Sequence, residues 1–232
     1  MTYNVLKYFS ILQKIYFKQQ TGCFVVIVEI GGKMDNSIIP EQEEGNQLDV
    51  SANVMFETED EALVFFQQVK QRLLNVNHWY ELCELPVSAF TLFNAENHAL
   101  TGLAQEGNYI RIDIPGPGTQ QGEGYDWVSI EAIDEDLTHA AEILSMRVRP
   151  SHHPLKPEDT TAHFFDSSAT STFQVKRIGN QIYAEVHGRN ETVNNKKGPL
   201  IDKVRNTFVA LSAKMGFSFP QWKLLVEGLV KR

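Results

Sequence analysis

Residues 50–76 read VSANVMFETEDEALVFFQQVKQRLLNV, and the change of hydrophobic period inside this stretch sets the architecture of the chain. Val50–Thr58 reads as a strand. Thr58-Glu59-Asp60-Glu61 then has the S/T-x-x-E form, in which the Thr hydroxyl and the Glu carboxylate satisfy free N–H groups at a helix start. Ala62, Phe65, Phe66, Val69, Leu73 and Val76 follow at helical spacing, with Gln67, Gln68, Lys70 and Gln71 on the other face, so the helix buries one side. Asn75, Asn77 and the cluster His78-Trp79-Tyr80 end it, and Pro86 separates what comes next.

Downstream the period falls to two. Ser88–Phe93, Ala99–Gln105 and Tyr109–Ile114 read as short strands joined by Asn94–His98 and Glu106-Gly107-Asn108, connections in which Gly or Asn takes positive φ. Ile110, Ile112 and Ile114 alternate with Tyr109, Arg111 and Asp113, which predicts one apolar sheet face and one wet face. Asp126–Ile133 supplies a further strand. Leu144, Met146 and Val148 alternate with Ser145, Arg147 and Arg149, and Ile182, Ala184 and Val186 with Tyr183, Glu185 and His187. Thr170–Ile178 and Gln181–His187 flank Gly179-Asn180, a two-residue loop of the kind hairpins prefer and the clearest local signal in the sequence. The helical period returns at Pro199, with Ile201, Val204, Phe208, Leu211 and Met215 three or four residues apart. Gly216 ends or bends that helix, and Ser218-Phe219-Pro220-Gln221 restarts one in which Trp222, Leu225, Val226 and Leu229 share a face.

Upstream, residues 1–33 hold four lysines and one acid, a net +3 that leaves −11 for the rest of a 232-residue chain whose formal charge is −8. They lack the small-residue cleavage pattern of a secretory signal. The expectation is a poorly packed N-terminal extension and linker over 1–47, with Met34 as the initiator, followed by a single domain over 48–232. No apolar run approaches the ~18 residues of a membrane helix, so no membrane span is expected. Two cysteines, Cys23 and Cys83, are too few for a disulfide framework and fit a reducing, cytoplasmic setting. The acidic balance repels phosphate backbones, which argues against nucleic acid as a partner.

Strand, helix, a run of antiparallel strands and a long C-terminal helix make an order that resembles the START-like (SRPBCC, helix-grip) superfamily. The residues carrying the resemblance are Val50–Val76 with Trp79, the strands from Ser88 to His187, and Pro199–Met215. The resemblance implies an α+β fold: a curved antiparallel sheet of seven to nine strands wrapped on the C-terminal helix, the ninth being His163–Phe165. It also implies a cavity for an apolar or amphipathic small molecule. Strand parity then turns Ile110, Ile112, Ile114, Met146, Val148, Phe173 and Val175 inward toward Val204, Phe208 and Leu211. His78 and Trp79, polar-tipped rings at the end of the first helix, are candidates for the cavity mouth. This lining either binds an apolar ligand or closes into a dry core.

Other motifs carry less chemistry. Ser151-His152-His153-Pro154, with Asp159, His163 and Asp166, holds suitable ligand types for zinc or iron, but three prolines make it an irregular loop and a polar surface loop is the preferred reading. Pro115-Gly116-Pro117-Gly118 lacks the consecutive N–H donors of a phosphate cradle, and Glu123 adds like charge. Glu185 and His187 could form an oriented acid–base pair, yet parity places them on the solvated face. No serine-nucleophile elbow occurs, Cys83 reads as a small buried residue, and Asn190-Glu191-Thr192 is a glycosylation sequon only in a secretory compartment. No cofactor, metal or catalytic residue is assigned. Small-molecule binding is the leading function. A cyclase- or hydrolase-type enzyme on the same fold predicts His78, His163 or His187 inside the cavity, and a protein-interaction or structural domain predicts a filled core with an exposed patch.

Overall fold

The computed structural model describes residues 14–20, 23–29, 38–83, 88–113, 121–138, 141–156, 161–194 and 218–232. The chain divides into two units, Met1–Ser37 and Ile38–Arg232. In the first, β1 (Lys14–Gln20) and β2 (Cys23–Glu29) pair antiparallel.

The second unit is α+β and built on a seven-stranded antiparallel sheet. Its strands are β3 (Asn46–Met55), β4 (Ala89–Phe93), β5 (Tyr109–Asp113), β6 (Asp126–Leu137), β7 (Ala141–Pro150), β8 (Thr170–Ile178) and β9 (Gln181–Glu191), in the order β3-β9-β8-β7-β6-β5-β4. Sequence neighbours pair throughout β4 to β9, and the first strand closes against the last. Among the described residues the α-helices are α1 (Glu59–Leu74), the single turn α2 (Trp79–Leu82) and α3 (Ser218–Leu229). A sheet with helices against one face is the helix-grip arrangement that the element order predicts.

The decisive passage forms as its chemistry requires. Thr58 Oγ1 accepts from the Glu61 N–H at 3.2 Å, and Glu61 Oε2 accepts from the Thr58 N–H at 3.3 Å, so two free donors at the start of α1 are satisfied reciprocally. Ala62, Phe65, Phe66, Val69 and Leu73 are the buried face of α1, which packs on β8 and β9. On the sheet, Ile110, Val128, Ile130, Met146, Val148, Phe173, Val175, Ile182, Ala184 and Val186 are buried, and Leu225, Val226 and Leu229 of α3 join the same core. Arg72 fastens the C-terminal end of α3 by donating to the carbonyls of Leu229 (2.9 Å) and Lys231 (2.6 Å). Gly228 allows α3 to cross α2 closely, since a Cβ there would stand 2.1 Å from the Leu82 carbonyl oxygen.

Two strand expectations are corrected. Ala99–Gln105 is a connection, touching β4 only through a bridge between Phe93 and Ala99. Its backbone groups go elsewhere: the Leu100 carbonyl accepts from Asn77 Nδ2 at 2.7 Å, and the Ala104 N–H donates to Leu74 at the end of α1 at 2.8 Å. A segment whose polar groups are taken by a helix terminus and an Asn side chain has few left for a ladder. Phe165 likewise makes one bridge, to Val193, so His163–Phe165 is not a strand. Gly179-Asn180 forms the β8–β9 hairpin turn, with φ of +58° at Gly179, as its sequence predicts. The helix predicted over Pro199–Met215 lies outside the described residues.

Candidate functional site

A cavity of about 100 Å³ lies between the sheet and α3. Its apolar wall comes from Phe90 on β4, Ile110 and Ile112 on β5, Val128 on β6, Val148 on β7 and Phe173 on β8, together with Trp79 from α2 and Trp222 from α3. Strand parity accounts for the sheet residues, because alternate side chains on neighbouring strands point to one face. The aromatic groups pack on one another: Trp79 meets Phe90 edge to face at 5.3 Å between ring centroids and Phe173 at a tilt at 4.8 Å, and Trp222 meets Phe173 edge to face at 5.1 Å. Trp79 is locked further by donating from Nε1 to the Leu73 carbonyl at 3.1 Å.

Ile110, Ile112, Trp79, Val148 and Phe173 of the predicted lining therefore face the cavity. Met146 and Val175 are fully buried in the core behind it. His78 is exposed, its Nδ1 2.8 Å from Asn75 Oδ1, and is not among the lining residues. Ile114, Val204, Phe208 and Leu211 lie outside the described residues.

Ser88, Ser171 and Gln221 also line the cavity, and three titratable side chains absent from the predicted set reach it: Asp126, His163 and Glu191. Asp126 begins β6 on the same parity as Val128 and Ile130, and its Oδ2 accepts from the Phe164 N–H at 3.2 Å. His163 sits in a loop that runs beside the end of β9. Asn194 Nδ2 donates to the carbonyls of Thr161 (3.2 Å) and His163 (3.3 Å), and the Asn194 N–H donates to Phe164 at 2.9 Å. The Phe165 N–H donates to His163 Nδ1 at 2.9 Å, so the ring proton belongs on Nε2.

Glu191 reaches the cavity through a defect in the strand. Alternation along β9 turns Tyr183, Glu185, His187 and Arg189 away from the core and would send Glu191 with them. Asn190, however, has φ of +56°, and the pairing with β3 slips between Leu48↔Gly188 and Asn46↔Glu191. This bulge reverses the alternation and brings Glu191 inward, 8% exposed. Gly188 leaves room for it: a Cβ there would lie 2.4 Å from Glu191 Oε1. Asn190 is held in its left-handed conformation because Oδ1 accepts from the N–H groups of Glu43 (2.7 Å) and Glu44 (3.1 Å). The only warning in the sequence is the pair Gly188 and Asn190, residue types that tolerate a bulge.

Burial drives all three groups toward their neutral forms. It raises the Glu191 carboxyl to about 7, against the pull of Arg189. It raises Asp126, although His163 and the Phe164 N–H act in the opposite sense. It lowers His163 despite the nearby Asp126 carboxyl. The site thus combines an aromatic and aliphatic wall with an acid–imidazole–acid set whose charge is poorly solvated.

The histidine-rich segment is a loop, but not the solvated surface loop expected: Ser151, His153 and Ala162 are buried and His163 lines the cavity, because the segment packs over the start of β6. His152 Nδ1 lies 2.9 Å from the His153 carbonyl, His153 packs on Trp127 at 4.8 Å, and Asp166 accepts from Ser168. Among the described residues no group of three His, Cys, Asp or Glu side chains is placed to hold a metal ion; Asp159 lies outside them. Glu185 and His187 do lie away from the core, but they are half-buried and ion-paired rather than solvated. His187 contacts Asp49 at 2.6 Å and Glu185 at 3.1 Å, Lys176 pairs with Glu185 at 2.7 Å, and Arg189 with Asp49 at 2.8 Å. Cys83 is buried, accepts from Gln221 Nε2 at 3.4 Å, and has its thiol pushed up by burial. No described helix is long and apolar enough to cross a membrane.

No protein-family model matches this sequence, and no curated protein matches it. Solved structures of similar arrangement include a hypothetical protein from Helicobacter pylori, with a TM-score of 0.44 at 13% identity over 79% of this chain and 86% of that one. Ara h 8.0201 aligns with a TM-score of 0.33 at 11% identity, over 80% of this chain and 100% of its own. The major latex-like protein 151 of Panax ginseng aligns with a TM-score of 0.31 at 13% identity, over 75% of this chain and 99% of its own.

Proposed function

We propose that residues 48–232 form a small-molecule binding domain whose ligand is amphipathic and sits in the cavity between the sheet and α3. The observation that carries this reading is the cavity itself: an apolar wall that includes Trp79, Phe90, Phe173 and Trp222 with four aliphatic side chains, meeting three titratable groups at a single site. A core closed for stability alone fills such space, because each void forfeits packing contacts, and it rarely places ionisable groups on the wall of a void. Trp79, Ile110, Ile112, Val148 and Phe173 supply contact area, and Asp126, His163 and Glu191 orient the polar end.

Native mass spectrometry of the purified chain, repeated after denaturation and organic extraction, tests the reading. A reproducible added mass that disappears on denaturation, and is absent from a Val148→Phe variant that fills the cavity, supports it. A bare polypeptide mass, together with no binding of small aromatic probes to the folded chain, would overturn it in favour of an interaction domain.

The position of His163 favours a second reading on the same site. It is the one of the three candidate histidines that lines the cavity, its Nε2 is the protonated nitrogen, and Asp126 lies beside it in the lining. A neutral imidazole held in one tautomer next to a carboxyl can pass a proton to or from a bound ligand. His163→Gln would then abolish conversion of whatever ligand the mass measurement identifies, a loss far larger than the accompanying loss of affinity.

A further inference from the structure

We propose that the cavity selects a small aromatic amine in its ammonium form, with the ring against the tryptophan and phenylalanine wall and the charge between the Glu191 and Asp126 carboxylates. This deepens the binding reading above and rests on it.

Three observations on different parts of the site converge on a cation. The described lining contains two acids and no lysine or arginine, so its charge complement is positive. The wall carries Trp79, Phe90, Phe173 and Trp222, whose faces attract ammonium groups through the ring quadrupole, most strongly where water is excluded. Glu191 is nine-tenths buried, and among the described residues no donor lies within hydrogen-bond distance of its carboxylate, although a bulge at Asn190 and a missing Cβ at Gly188 both serve to bring it inward. The nearest cation on its own strand, Arg189, is already engaged by Asp49 at 2.8 Å and by the carbonyls of Gly188 and Leu48.

The titratable and charged groups facing this position are Asp126 from β6, His163 from the 161–169 loop, and Glu191 with Arg189 from β9. In the empty cavity burial favours neutral Asp126 and Glu191. An ammonium ion placed between them stabilises their ionised forms, so binding near neutral pH releases protons.

The test is calorimetry on the full chain with benzylamine and with ethylbenzene, two probes of equal heavy-atom count that differ in charge, at pH 8 and pH 5. The expected result at pH 8 is that benzylammonium binds at least about tenfold more tightly than ethylbenzene; a repeat at pH 7, where Glu191 in the empty cavity is about half protonated, shows proton release as a buffer-dependent heat. At pH 5 that advantage falls to about threefold or less, because Glu191 is then mostly protonated. Glu191→Gln removes the preference for the amine over ethylbenzene. Asp126→Asn serves the same comparison should the first variant fail to fold. If ethylbenzene binds and benzylammonium gains nothing over it, the cation assignment is overturned while the cavity reading stands. If neither binds the folded chain, both fall.

Discussion

Two sites on the same sheet carry nearly the same chemistry and behave oppositely. On the core side, His163 stands with Asp126 and Glu191; on the far side, His187 stands with Asp49 and Glu185. His187 is pushed up: burial acts against its charge, but direct bonds to Glu185 and Asp49 outweigh it. Asp49 and Glu185 are held below their ordinary values, burial again being outweighed by hydrogen bonds, from Gln47, His187 and Arg189 at Asp49 and from His187 and Lys176 at Glu185. On the core side burial wins at all three groups. The difference is one of partners. The far set includes Lys176 and Arg189 and closes into a neutralised network, while the inner set faces rings and aliphatic carbon. A network complete in itself holds the sheet together. An incomplete one is suited to receive its missing partner from outside.

The strongest way to break this contrast is to open the wall that keeps the inner set dry. Trp79→Ala deletes a side chain 1% exposed, its contacts with Phe90 and Phe173 and its bond to Leu73. The expected cost is about 3–5 kcal/mol in urea denaturation. A loss under about 1 kcal/mol would mean that the wall is not packed as described.

Glu191→Gln should act in the opposite direction, and only at high pH. Below about 4.5 the residue is protonated in both the folded and the unfolded chain and contributes nothing. Between there and about 7 the unfolded chain ionises while the folded one retains its proton, so stability falls as pH rises, and above that the penalty is constant. The variant is therefore expected to gain about 1–3 kcal/mol at pH 8 and nothing at pH 4. Equal gains at both would show that the carboxyl is not desolvated.

Gly188→Ala tests whether the bulge is built around that carboxylate. Its Cβ would meet Glu191 Oε1 at 2.4 Å, and the expected loss is about 1–2 kcal/mol. In a Glu191→Ala background most of that loss should vanish, leaving only the tighter approach to Leu48. An additive double mutant would place the strain elsewhere.

The smallest effect belongs to the far side. His187→Gln is expected to cost about 0.5–1 kcal/mol, since the pair is partly solvated. Because the folded-state value of His187 is raised, its contribution is complete below the ordinary histidine value and disappears as pH climbs through the raised one. Thermal melts at pH 6 and pH 9 should differ between wild type and variant only at the lower pH.

Much of this was legible residue by residue. The capping box at Thr58, the buried stripe Ala62 to Leu73, the Gly179-Asn180 turn and the alternation along β5, β7 and β9 all depend on local chemistry and on neighbours a few positions away. The inward rows include Ile110, Ile112, Val148 and Phe173, which line the cavity. Alternation misled at Ala99–Gln105 because the segment's polar groups are consumed by Asn77 and the end of α1, partners that no periodicity reveals.

The sequence by itself determined α1, the β8–β9 hairpin, the buried faces of β5, β7 and β9 and the acidic balance of the chain, because these follow from side-chain period and composition. Only the tertiary structure decided that Glu191 turns inward and His187 does not, since the bulge at Asn190 exists in a register between two strands far apart in sequence. It alone brought His163 beside Asp126 and left a space against their side chains. Desolvation and empty volume are properties of everything packed around a point, and no single stretch of sequence contains them.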